Sequence, residues 1–361
     1  MPINAFIARL FRPEVLALSV YKVADATGLI KLDAMENPYG WPEELKIQWL
    51  EKLKQCELNR YPDPEAKTLS HSIRQLYHIS DDLGLLLGNG SDEIIQLLLM
   101  AVPTGANVIS PAPGFVMYQQ ISQLLGLNYL GVPLKADSFA LDLPAMLTAI
   151  QQQQPAVVFL AYPNNPTGNL FDTAAIHEII QASPGLVVID EAYAPFANAS
   201  LIDALGQYPN LLIMRTVSKL GLAGLRLGYL VGHPAIIEQL NKIRLPYNIN
   251  ILTQVSVEFA LSHHPVFTAQ AEAICQERSR IFEQLSSLEG ITPYPSAANF
   301  ILFKTPTGQA NQVFASLKEQ TILIKNLAAH GGLLSDCLRV TVGTPEQDEH
   351  FMTALKISLT Q

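Results

Sequence analysis

The chain alternates between short apolar runs and stretches in which apolar residues recur every three or four positions. A short apolar run closed off by turn residues reads as a buried strand; the longer spacing reads as an amphipathic helix. Strands are therefore predicted at 29–32, 85–87, 107–110, 129–133, 156–161, 187–189, 211–214 and 228–231. Helices are predicted at 42–54, 66–77, about 91–101, 114–125, 143–153 and 173–181, the first opening on Pro42, which suits an initial helical turn. Such βα alternation implies an α/β fold, with a mostly parallel central sheet covered by helices on both faces. Beyond Pro234 the pattern becomes mostly helical, at 234–245, 252–262 and about 266–288. Segments 299–303, 310–320, 322–327, 337–342 and 345–359 then mix strands and helices into a smaller α+β domain. Residues 1–45 are expected to form an N-terminal arm and part of that small domain, 46–262 the large domain, and 263–361 the C-terminal small domain. No internal repeat is visible.

Two neighbouring stretches gather polar residues at strand ends. VVIDEAYAPF places Asp190, Glu191 and Tyr193 after one apolar run, and LLIMRTVSKLGLAGLRLG places Thr216, Ser218, Lys219 and Arg226 after the next. Open α/β sheets bind ligands at the carboxyl ends of their strands, so these groups should converge. Lys219 is either a solvated turn lysine or an amine suited to imine chemistry. Glycines that admit close backbone approach, two hydroxyls and the Arg226 fork would suit a phosphate. Asp190 either caps a helix or holds a pyridine nitrogen protonated, and Tyr193 could donate to a ring phenolate oxygen. Asn165, in NNPTG, is a turn former whose amide could reach the same oxygen. Gly90, Ser91 and Asp92 open a helix, where Ser91 or Asp92 can cap and an anion can sit. Phe115 is a core aromatic or a stacking surface for a flat ring. Arg339, inside an alternating strand, is a solvent charge or a carboxylate clamp. Glu191 reads as structural.

Composition narrows the partners. Of 361 residues, 49% are hydrophobic and 15% charged, enough for a sizeable core. The net charge of −9 leaves no basic stripe for nucleic acid. Three scattered cysteines imply a reducing compartment, and the histidines show no metal-ligand spacing. Arg9, Arg12 and Glu14 interrupt any leader-like apolar run, and no window suffices for a membrane span, so a soluble cytoplasmic protein is expected.

Taken in order, KLDAMENPYG, NRYPDPEA, GNGSDEII, AYPNNPTGN, VIDEAY, TVSKLGLAGLRLGY, SAANFILF and LRVTVGTPEQ resemble the pyridoxal-phosphate-dependent aminotransferases of the aspartate aminotransferase fold (fold type I). Within that superfamily the chain is most similar to the histidinol-phosphate aminotransferases. The resemblance implies pyridoxal 5'-phosphate as cofactor, no metal, and residues 46–262 as the domain that binds it. It implies that Lys219 takes the cofactor aldehyde, Asp190 pairs with the pyridine nitrogen, and Asn165 and Tyr193 bind the ring oxygen. Gly90, Ser91, Asp92, Thr216, Ser218 and Arg226 would cradle the phosphate and Phe115 would stack on the ring, where several relatives have tyrosine. Tyr61 would reach the cofactor phosphate and substrate of a neighbouring subunit, making a homodimer. Arg339 would hold the carboxylate of glutamate, with Tyr21 and Asn37 at the substrate end. Some relatives carry arginine near position 325, where this chain has Lys325. The implied reaction interconverts L-histidinol phosphate and 2-oxoglutarate with imidazole-acetol phosphate and L-glutamate, in histidine biosynthesis. Aromatic-amino-acid aminotransferases and threonine-phosphate decarboxylases keep the same cofactor residues and remain alternatives, as does a non-catalytic descendant of the fold.

Overall fold

A computed structural model describes residues 3–20 and 23–360. Two short helices, α1 (Ile3–Leu10) and α2 (Pro13–Ala17), precede β1 (Ile30–Lys31), then come α3 (Glu43–Leu53) and α4 (Lys67–Leu76). The alternating region comprises β2 (Gly84–Gly88), α5 (Ser91–Ala101), β3 (Asn107–Ala112), α6 (Val116–Leu124), β4 (Asn128–Pro133), α7 (Leu143–Gln153), β5 (Val157–Ala161), α8 (Thr173–Ala182), β6 (Leu186–Asp190), β7 (Leu211–Thr216) and β8 (Gly228–Gly232). These strands form a seven-stranded sheet in the order β2-β8-β7-β6-β5-β3-β4. Only β8 runs against its neighbours, pairing antiparallel with both β2 and β7. Every residue of β5 and β8 is buried, the signature of strands covered on both faces. One apolar layer joins β5 and β6 to α7 and α8; another joins the opposite face to α5, α6 and α9 (Pro234–Ile243).

α10 (Ile251–Ser262) and the long α11 (His264–Ser286) lead into the smaller α+β unit. It contains β9 (Thr292–Pro293), β10 (Phe300–Lys304), α12 (Ala310–Glu319), β11 (Ile322–Leu323), β12 (Lys325–Asn326), β13 (Cys337–Thr341) and α13 (Pro345–Leu359). An antiparallel sheet in the order β12-β13-β10-β9 packs on α11, α12 and α13. The stretch at β1 joins this unit through its parallel pairing with β11, whereas Arg12, at the start of α2, donates to the Leu124 carbonyl at the end of α6.

One expectation is corrected. Segment 322–327 is not one element: its first half pairs with β1 and its second with β13, so the chain changes partners at Ile324. The arm is helical at α1 and α2, although neither helix buries a residue within the chain. Among the described residues, no helix is long and apolar enough to cross a membrane.

Candidate active site

A cavity of about 360 Å³ opens at the carboxyl edge of the large sheet. Asp190 is the last residue of β6 and lies beside Ala161 and Met214 in the parallel ladder, which fixes its carboxylate at that edge. Thr216 ends β7, and the tight turn at Ser218–Leu220 just beyond it brings Lys219 into the same cavity as Asp190. Asn165 follows β5, Phe115 follows β3, and Arg226 lies in the turn before β8. All of these, with Ser91, Asp92, Tyr193 and Ser218, line the one cavity.

Asp190 is 4% exposed. Its Oδ2 accepts from the Tyr118 hydroxyl at 2.6 Å and its Oδ1 from the Ala192 amide at 3.1 Å. Burial pushes its carboxyl up to about 6, against the downward pull of those two hydrogen bonds. Lys219 donates from Nζ to the Ala34 carbonyl at 3.3 Å and sits 5.6 Å from the Tyr193 ring centre. Burial pushes this amine down to about 8; the positive charges of Arg339 and Arg226 act the same way, and Glu36 and Asp92 oppose them. An acid and a base are thus shifted toward neutrality from opposite sides within one cavity, the pattern expected where protons must move.

Tyr193 and Asn165 are coupled: Asn165 Nδ2 donates to the Tyr193 hydroxyl at 3.1 Å, while Asn165 Oδ1 accepts from Arg339 Nη1 at 2.6 Å. The phenol therefore keeps its own proton for another acceptor. Burial pushes the Tyr193 phenol well above its usual range, so it remains a donor. Arg339 on β13 is 6% exposed, lies over the Phe300 ring at 5.1 Å and donates from Nη2 to the Asp33 carbonyl at 3.1 Å. It faces inward, not to solvent, and touches Asn165 at the cavity's edge.

The remaining groups form an anion cup. Gly90, not Ser91 or Asp92, takes the capping position of α5, and no side chain caps the first turn. Its φ of +85° with ψ of 167° is backbone that only glycine adopts readily, and a Cβ there would crowd the Arg226 guanidinium. Arg226 Nη2 reaches Asp92 Oδ2 at 3.4 Å. Thr216 Oγ1 lies 2.9 Å from Ser218 Oγ and 3.0 Å from the Leu227 carbonyl and accepts from the Ser218 amide at 3.1 Å, which fixes the pair at the cavity wall and leaves the Ser218 hydroxyl as the freer donor. Backbone donors of a helix start, two hydroxyls and a guanidinium are the donor set that holds a phosphate. Phe115 meets Tyr118 edge-on, 5.4 Å between ring centres, and presents a flat wall.

Other expected residues lie elsewhere. Asn37 does not line the cavity: its amide donates to Gln270 Oε1 at 3.0 Å and to the Leu220 carbonyl at 3.4 Å, bracing the Lys219 turn from behind. Tyr61 is 82% exposed on another face and stacks on Tyr247 with ring centres 4.5 Å apart. Lys325 lies opposite Arg339 in the β12–β13 ladder. Tyr21 falls outside the described residues. Glu191 is buried under the site, accepting from Arg215 at 2.7 and 2.9 Å and from the Leu201 amide at 2.6 Å. Sequence reasoning missed Tyr118, which looks like another core aromatic in FVMY, and the main chain of residues 34–36, which carries no side-chain signature.

The family model described as aminotransferase class I and II matches residues 27–355. "Histidinol-phosphate aminotransferase 2" of Nitrosococcus oceani is 56% identical over 351 residues, covering 97% of each chain. "Histidinol-phosphate aminotransferase 2" of Cupriavidus pinatubonensis is 49% identical, covering 98% of each. Among solved structures, histidinol-phosphate aminotransferase from Sinorhizobium meliloti in complex with pyridoxal-5'-phosphate superposes with a TM-score of 0.87 at 24% identity, covering 97% of this chain and 98% of that one, a likeness of fold.

Proposed function

The chain belongs to the class I and II aminotransferases, and from that premise we propose that it transfers the amino group between L-histidinol phosphate and 2-oxoglutarate, in histidine biosynthesis in the cytoplasm, with pyridoxal 5'-phosphate as cofactor. The two relatives above support the substrate. The cavity supports the cofactor, and the observation that carries the reading is the convergence of Lys219, Asp190, Asn165 and Tyr193 on one cavity at the carboxyl edge of the sheet, where burial shifts the amine down and the acid up. The phosphate donors lie in the same cavity, and Gly90 leaves the space beside Arg226 that a Cβ would fill.

When bound, pyridoxal phosphate supplies an aldehyde for the lysine and a ring that draws electrons from the substrate's α-carbon. The protein supplies the rest. Lys219, its amine pushed down to about 8 by burial, would hold the cofactor through its aldehyde and would serve as the group that moves a proton at the substrate's α-carbon. Asp190, held by Tyr118 and Ala192, would offer an anion to the ring nitrogen. Tyr193, already accepting from Asn165, would have its own proton free to donate to the ring oxygen. The first turn of α5, Thr216, Ser218 and Arg226 would hold the phosphate. Arg339 takes the carboxylate of glutamate, and Lys325 beside it adds a second cation for the phosphate ester of the other substrate.

A homodimer belongs to the same reading. Tyr61 and Tyr247 form an exposed aromatic pair, with Leu58, Leu245 and Leu252 also exposed, a surface suited to a second copy that receives Tyr61 into its site. Rates with histidinol phosphate, phenylalanine and threonine phosphate, each with 2-oxoglutarate, test the substrate. Histidinol phosphate should lead; equal or faster turnover of phenylalanine would overturn the assignment in favour of an aromatic-amino-acid aminotransferase.

A further inference from the structure

Residues 33–36 roof the cavity, and the small domain grips their main chain at successive points. The Asp33 carbonyl accepts from Arg339 Nη2 at 3.1 Å. The Met35 amide donates to Thr341 Oγ1 at 2.9 Å, and the Met35 carbonyl accepts from Asn299 Nδ2 at 3.0 Å. Between these anchors the Ala34 carbonyl turns inward and accepts from Lys219 Nζ at 3.3 Å. Met35 holds a φ of +53°, a conformation unfavourable for any residue but glycine, and it does so in the cavity wall. Thr341 and Asn299 are 3% and 0% exposed, and neither lines the cavity. Burying two polar side chains is costly unless their hydrogen bonds are used.

We propose that Thr341 and Asn299 are positioning residues for the Lys219 amine, acting through the strained main chain of Met35 to aim the Ala34 carbonyl at Nζ. The inference rests on Lys219 being the reactive amine. A carbonyl acceptor favours the ammonium form, so the strap keeps the amine basic enough to capture a proton while burial works against it. The charged and titratable groups facing Lys219 are Arg339 on β13, Arg226 before β8, Asp92 on α5, Glu36 on the strap, Asp190 at the end of β6 and Tyr193 just after it. Thr341 and Met35 add no charge to this set, so replacing them isolates the strap.

The test is the pH dependence of pyridoxal phosphate uptake by the cofactor-free protein, followed by absorbance, in Thr341→Val, Thr341→Ser and Met35→Gly. The wild-type midpoint should lie near 8. Thr341→Val keeps the shape but removes the acceptor for the Met35 amide, and its midpoint should fall by roughly 0.5–1 pH unit. In the holoenzyme its kcat should drop by about threefold to tenfold with the KM for the amino donor unchanged. Thr341→Ser restores the hydroxyl and should match wild type. Met35→Gly keeps both anchors while freeing the backbone, and should shift the midpoint part of the way; it carries the test if Thr341→Val does not fold. An unmoved midpoint in the folded variants, or an equal shift in Thr341→Ser, would overturn the inference while labelled Lys219 still supports the transaminase reading. Failure to label Lys219 in the wild type would overturn both.

Discussion

Removing a single oxygen from Tyr118 should alter how the site holds its cofactor. In Tyr118→Phe the ring would keep its stack on Phe159, with centres 4.4 Å apart and planes 6° from parallel, so packing should survive. What disappears is the 2.6 Å hydrogen bond to Asp190 Oδ2. A hydrogen bond to a charged group contributes roughly 1.5–3 kcal/mol, and 1.36 kcal/mol corresponds to about one pKa unit. The Asp190 carboxyl, near 6 in the intact site, should therefore rise by roughly one to two units. At pH 7 its ionised fraction would fall from about nine-tenths to between about a half and a tenth. Affinity for pyridoxal phosphate, which needs the anion opposite the ring nitrogen, should then weaken by roughly twofold to tenfold at pH 7 and recover by about pH 9. Titrating cofactor-free protein with pyridoxal phosphate from pH 6 to 9.5 reads this out. A variant whose affinity curve overlays that of the wild type would show that Tyr118 does not tune Asp190.

Glu191→Ala should strand the buried Arg215 guanidinium and lower unfolding free energy by about 3–5 kcal/mol, read from urea denaturation. Asp348, on α13 and facing α11, is fully buried, and burial and the Glu277 carboxyl push it up to about 8 against the Gly343 amide. Because its folded value is raised, the stability it contributes is complete at acid pH, declines above the ordinary carboxyl range and is lost as pH rises through about 8. Asp348→Asn should flatten that decline, visible as a smaller difference in urea midpoint between pH 5 and pH 9. Arg339→Lys should lose the planar fork and cut kcat/KM for glutamate by about a hundredfold in steady-state assays while pyridoxal phosphate uptake persists.

The large sheet was legible because β5, β6 and β7 are almost wholly buried, which writes them as unbroken apolar runs with polar residues only at the ligand edge. The same rule brought Asp190, Thr216, Ser218 and Lys219 together on paper, since the ends of neighbouring parallel strands must share an edge. Partner choice left no comparable mark. Nothing in the run 322–327 tells that Ile322 faces β1 while Lys325 faces β13, because apolar patterning reports burial and not pairing. Tyr118 was illegible for a related reason: its hydroxyl is distinguished only by the carboxylate it meets. The Ala34 carbonyl belongs to the main chain, which every residue has, and Met35 gives no sequence hint of its left-handed backbone. Asn37 sits in a motif that points at the site, yet its amide is spent on Gln270 and the Leu220 carbonyl.

Borohydride reduction of the pyridoxal-phosphate-loaded protein, followed by peptide mapping, addresses the amine on which the chemistry turns. The expected result is a single pyridoxyl label on Lys219, with none in Lys219→Ala of unchanged fold. A label on another lysine, or no label on a protein that binds the cofactor, would contradict the assignment of Lys219 and the roles of Asp190 and the Ala34 carbonyl that depend on it.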